Sequence, residues 1–129
     1  MTIVAEIMSR SLLTVDPATA LTEAARQMDE RAVGAVLVFS EGRLVGILTE
    51  RDVLRAVAAG QTESASVGDC MTRNPETIEP SDRAGHAASI MIHGGFRHLP
   101  VLDGGEAVGI VSIRDLMRVV IDDESPRGA

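Results

Sequence analysis

Gly46-Ile47-Leu48-Thr49-Glu50-Arg51-Asp52 decides the reading of this chain. An apolar strand runs into a hydroxyl residue, and a helix then opens with charged side chains. The same order returns at Gly109-Ile110-Val111-Ser112-Ile113-Arg114-Asp115. Working outward, residues 8–57 overlay residues 71–120 at a constant offset of 63 with no gap, and 16 of the 50 positions are identical. Chance gives roughly three or four for ordinary composition. Identities include Met8/Met71, Thr14/Thr77, Pro17/Pro80, Met28/Met91 and Arg51/Arg114. The chain therefore holds two copies of one unit, over residues 1–62 and 63–123, with a polar tail at 124–129.

Each copy reads as β-α-β-β-α. In the first, Leu12 to Val15 is a short strand stopped by Asp16-Pro17. Thr19 is placed to cap a helix that runs to about Arg31. Leu21, Ala24, Ala25 and Met28 fall on one face of its 3.6-residue period. Ala35 to Phe39 and Leu44 to Leu48 make a hairpin across Ser40-Glu41-Gly42-Arg43. A helix opens at Thr49 with Val53, Leu54 and Val57 on its apolar side. In the second copy Glu76 to Glu79 is the short strand, Ala84 to Met91 lie on a helix, and Gly94 is its expected C-cap. His98 to Val111 is the hairpin, and the last helix runs from about Ser112 to Asp122. A three-stranded unit is too small to bury both faces alone. The expected α/β (α+β) fold therefore packs the two sheets together about a pseudo-two-fold axis, with helices outside and two equivalent clefts.

Bulk properties narrow the function. The net charge is −7 and all 12 basic residues are arginine. An acidic chain repels a phosphate backbone, so no nucleic acid partner is expected. Without lysine there is neither Schiff-base chemistry nor a P-loop. Cys70 is the one cysteine, which excludes an internal disulfide and suits a reducing cytoplasm. The N-terminus lacks a basic segment followed by an apolar one, and no apolar run nears the ~20 residues that span a bilayer. A cytoplasmic location away from membranes is expected. Catalytic signals are thin. His86 and His93 lie ~10 Å apart along their helix, too far to share easily a metal whose bonds to nitrogen are ~2 Å. No nucleophile elbow or paired-carboxylate signature is present, so no catalytic or metal-binding residue is assigned.

With these motifs in place, the chain resembles the cystathionine-β-synthase-type domain pair, the CBS pair or Bateman module. The resemblance rests on the Gly-h-h-Thr/Ser-x-x-Asp turn in both copies, on Ile7-Met8-Ser9 and Cys70-Met71-Thr72, on Thr14-Val15-Asp16-Pro17 and Thr77-Ile78-Glu79-Pro80, and on Arg97-His98-Leu99-Pro100-Val101. It implies binding rather than catalysis. The ligand would be AMP, ADP or ATP, or NAD or S-adenosylmethionine, held between the repeats with no required cofactor. A homodimer would pass occupancy to a regulated partner whose identity the sequence does not give.

Each candidate also has a plainer reading. Thr49 with Asp52, and Ser112 with Asp115, have the spacing of a capping box; the resemblance adds ribose binding by the acid and phosphate binding at the helix start. Arg51 and Arg114 are either solvated or take a phosphate or inter-subunit role. Arg97 and His98 stand where the first copy has Gly34 and Ala35, so the Ser112–Asp115 cleft is expected to favour phosphates. Thr14-Val15 and Thr77-Ile78 line a base pocket or are core strand. Met8 and Met71 plug gaps near the clefts. The alternative is a CBS pair with degenerate clefts that serves structure or protein interaction.

Overall fold

Both predicted hairpins form, and their turns show why. In the computed structural model, which describes residues 1–124, the two-residue loops carry positive φ throughout: Glu41 51° and Gly42 76°, Gly104 59° and Gly105 88°. That conformation matches the right-handed twist of the flanking strands. The first hairpin joins β2 (Ala35–Ser40) to β3 (Arg43–Thr49), and the second joins β5 (His98–Asp103) to β6 (Glu106–Ser112). Each carries a register shift at the same place, between Val38 and Phe39 and between Val101 and Leu102.

The remaining elements are a short 3-10 turn (Val4–Glu6), β1 (Thr14–Val15), α1 (Leu21–Arg31), α2 (Glu50–Ala58), α3 (Val67–Cys70), β4 (Thr72–Arg73), α4 (Ala84–Gly94) and α5 (Ile113–Glu124). The tail expected over 124–129 lies outside the described residues after Glu124. The chain divides into two compact units, one of Leu12–Pro75 and the other of Met1–Ser11 with the segment from Glu76 onward. Thus the segment that leads each sequence repeat belongs to the unit built on the other repeat's hairpin.

In the Leu12–Pro75 unit the sheet order is β1-β2-β3-β4. This is one strand more than the sequence suggested, because Thr72 pairs with Ile47 and Arg73 with Gly46. The core holds Leu21, Ala24, Met28, Val36, Val38 and Leu48, so the predicted α1 face is buried except for the half-buried Ala25. In the other unit the flanking strands shrink to single bridges, Ile78 to Val101 and Ser9 to Ile110. Pro100 supplies a reason on one side. Its counterpart Leu37 donates its N–H to Leu13 at 3.0 Å, and proline has no N–H to give. The strand expected over Glu76 to Glu79 is therefore reduced to the bridge at Ile78.

Three local expectations are corrected. Thr19 does not cap α1: its hydroxyl accepts from the Asp16 N–H at 3.3 Å, and Ala20 holds the N-cap position without a side-chain bond. The first helical N–H, from Leu21, instead meets the Ala65 carbonyl at 3.0 Å, as that of Ala84 meets Thr2. The left-handed C-cap of α4 is Gly95, at φ 74°, rather than Gly94. Gly94 is small for another reason: a Cβ there would lie 2.1 Å from the Phe96 ring. Finally, α2 buries Asp52 and Ala56, whereas Leu54 and Val57 are 67% and 56% exposed. The capping carboxylate fixes this rotation, since Asp52 turned inward puts position 56 inward one turn later.

Candidate functional site

Each unit presents its motif where the hairpin's second strand enters a helix. In the Leu12–Pro75 unit, the Thr49 N–H donates to Asp52 Oδ2 at 2.9 Å, and the Thr49 hydroxyl donates to the same oxygen at 3.1 Å. The Asp52 N–H returns to Thr49 Oγ1 at 3.4 Å. In the other unit the Ser112 N–H and hydroxyl donate to Asp115 Oδ2 at 2.8 and 3.0 Å, and the Asp115 N–H returns to Ser112 Oγ at 3.1 Å. Both are complete capping boxes, so the plain reading of these residues is realised. It uses one carboxylate oxygen of each acid. Oδ1 of Asp52 takes no hydrogen bond among the described residues, while Oδ1 of Asp115 receives a long 3.4 Å contact from the exposed Arg118.

The structure gathers the other candidates around these turns unequally. The Ile113 N–H donates to the Arg97 carbonyl at 2.8 Å, and His98 pairs in register with Ser112. The counterparts are the Glu50 N–H on the Gly34 carbonyl at 3.0 Å and Ala35 opposite Thr49. Arg97 and His98 thus stand beside the Ser112–Asp115 turn, with Arg97 exposed and His98 half-buried. Arg51 and Arg114 are exposed on the first turns of their helices.

Thr14 is exposed and Val15 half-buried on β1, paired with Leu37 and Val38. Thr77 is half-buried. Ile78 sends its side chain into the core, donates its N–H to Pro100 at 3.0 Å and accepts from Leu102 at 2.9 Å. Its polar backbone is thereby occupied.

Met8 and Met71 close over the glycines of the motifs. A Cβ on Gly109 would sit 2.6 Å from Met8 Sδ, and one on Gly46 2.5 Å from Met71 Sδ. The methionines were expected near these sites; that they pack on the glycines is a tertiary contact with no local sequence signal. Glu50 and Arg118 also stand at these turns, and the offset-63 alignment sets them against Ile113 and Arg55.

Cys70 follows Asp69, whose carboxylate accepts from the Ser66 N–H at 2.9 Å and is held below the usual range chiefly by that bond. Burial first, then the Asp69 and Asp52 carboxylates, push the Cys70 thiol up. A raised thiol pKa leaves less thiolate at a given pH. Cys70 is therefore expected to react with a disulfide reagent at pH 8 at least about threefold more slowly in the folded chain than in urea. Equal rates would show that neither burial nor charge acts on it.

Among the described residues, no three His, Cys, Asp or Glu side chains are placed to hold a metal ion. Nor is any helix among them long and apolar enough to cross a membrane.

The fold recurs in known proteins. The CBS domain profile matches residues 4–59 and 67–122. An uncharacterized 17.7 kDa protein of Acidianus ambivalens is 37% identical over 121 residues, covering 92% of this chain and 73% of its own. Other relatives are longer: the chain spans 43% of one from Methanocaldococcus jannaschii and 19% of one from Arabidopsis thaliana. The CBS pair of MJ0100, solved with 5′-methylthioadenosine and S-adenosyl-L-methionine, superposes at a TM-score of 0.88 with 28% identity, over 95% of this chain and 98% of that one. CBSX2 in complex with AMP superposes at 0.81 with 26% identity, over 95% and 98%. With two matched domains that between them contain both Gly-to-Asp turns, the chain belongs to the CBS domain family.

Proposed function

We propose that this chain is a non-catalytic regulatory module that binds adenosine-containing ligands at its Thr49–Asp52 and Ser112–Asp115 turns. AMP, ADP and ATP are the leading ligands, with NAD and S-adenosylmethionine in the same class. One observation carries the reading. A carboxylate stands at the first turn of a helix in both units, in a fold that relatives share with AMP or S-adenosyl-L-methionine bound. A carboxylate accepts hydrogen bonds from a ribose diol, and the positive end of the helix dipole favours an anion beside it. Arg51, Arg97, His98 and Arg114 supply phosphate contacts. Thr14, Val15, Thr77 and Ile78 border the base, the last through packing.

Occupancy is passed on through a homodimer to a regulated partner. Leu54 and Val57 are exposed on α2 of one unit, and Met117 and Ile121 on α5 of the other; each pair shares one helix face, and such exposed apolar patches support the dimer. A ligand moves such an assembly only by binding one arrangement better than another. The completed capping boxes favour the second reading, a CBS pair whose turns serve structure alone. Calorimetry with AMP, ATP, NAD and S-adenosylmethionine separates the two. Binding of at least one is expected; silence across the panel at millimolar ligand supports the structural reading.

A further inference from the structure

We propose that the two turns select different classes of adenosine compound. Ser112–Asp115 takes a 5′-phosphorylated nucleotide, and Thr49–Asp52 takes an adenosine derivative whose 5′ substituent carries no negative charge. The inference rests on the binding reading above and gives it a specificity.

Three positions, matched by structure as well as by sequence, carry it. The carbonyls of Arg97 and Gly34 accept the first N–H of their helices at 2.8 and 3.0 Å, so these two residues occupy equivalent places. One presents an exposed guanidinium and the other has no side chain. Next along each strand, His98 lies opposite Ser112 where Ala35 lies opposite Thr49. At the first helical position, Ile113 in one unit answers to Glu50 in the other. The arginine at the second position and the aspartate at the third are common to both.

With histidine counted neutral, the Ser112–Asp115 turn has a net positive charge of one, and the Thr49–Asp52 turn a net negative charge of one. A carboxylate at the first helical position already satisfies the positive end of the helix dipole and repels a second anion. Across a few ångströms of solvated surface at physiological salt, this difference changes affinity for a phosphate on the order of tenfold, and leaves an uncharged ligand nearly unaffected. Glu50 can instead accept a hydrogen bond from, or pair with, a neutral or cationic 5′ group.

Calorimetry on the full chain at 0.15 M salt tests this with two probes, AMP and 5′-methylthioadenosine. AMP is expected to displace 5′-methylthioadenosine from one of two sites and to leave the other filled. Arg97→Gln should weaken AMP by about tenfold and leave 5′-methylthioadenosine within twofold. Glu50→Gln should open a second AMP site. Both side chains are exposed, so neither change threatens folding. Displacement of 5′-methylthioadenosine from both sites, or an unchanged AMP affinity in Arg97→Gln, overturns the selectivity while sparing the binding reading. If neither probe binds the native chain at millimolar concentration, both readings fall.

Discussion

Gly109→Ala is expected to destabilise the chain by about 2 kcal/mol, within the range seen for overpacked interiors, and to lower the melting temperature by roughly 5–10 °C. The new Cβ would lie 2.6 Å from Met8 Sδ, 2.9 Å from Met8 Cγ and 2.9 Å from the Ser9 carbonyl. The methionine end is flexible and can move. The carbonyl cannot, because Ser9 is held to Ile110 by two backbone bonds, at 2.8 and 3.0 Å. A double-mutant cycle with Met8→Ala divides the cost. Met8→Ala should recover part of the loss in the Gly109→Ala background, and the coupling between the two should exceed about 0.5 kcal/mol. The untouched Ser9 carbonyl sets the unrecovered remainder. Full additivity in thermal or urea unfolding would mean that Met8 does not pack on Gly109. Gly46 repeats the arrangement with Met71 and the Thr72 carbonyl, at 2.5 and 2.9 Å. Gly46→Ala should behave alike in the Leu12–Pro75 unit.

The second large effect separates capping from binding. The box is reciprocal, so Ser112→Ala and Asp115→Ala should each cost about 1 kcal/mol in unfolding free energy. Their ligand affinities should diverge. Asp115→Ala removes the acceptor offered to the ribose and should weaken AMP by about a hundredfold, as expected when a charged hydrogen-bonding group worth roughly 3 kcal/mol is lost. Ser112→Ala keeps the carboxylate and should weaken AMP by less than about tenfold. Stability and calorimetry measured on the same preparations decide it. Affinity losses that merely follow the stability losses, equal in the two variants, would make Asp115 a helix cap and nothing more.

Several features of both units were legible from local residues. The hairpins are written in Glu41-Gly42 and Gly104-Gly105, because positive φ at both loop positions suits few residue types. The buried faces of α1 and α4 follow from apolar spacing, with Leu21, Ala24 and Met28 matched by Ala84, Ala87 and Met91. The capping boxes, too, follow from a hydroxyl and an acid three residues apart. Local pattern misjudged α2, where Leu54 and Val57 looked like core and are exposed. Hydropathy ranks side chains by transfer energy, and here a bonded carboxylate at Asp52 fixed which side faced inward.

The sequence by itself determined the repeat, its register of 63 residues and the two Gly-to-Asp turns. Each is a property of residue order and needs no partner distant in the chain. The tertiary structure decided what such partners supply. It gave the first N–H groups of α1 and α4 to the carbonyls of Ala65 and Thr2, and it set Met8 on Gly109 and Met71 on Gly46. It also reduced the strand before Pro100 to a single bridge. Backbone carbonyls are the same at every position, so no residue type announces which one will cap a helix. Close packing against a glycine is equally silent in the sequence until both chains of contact are folded.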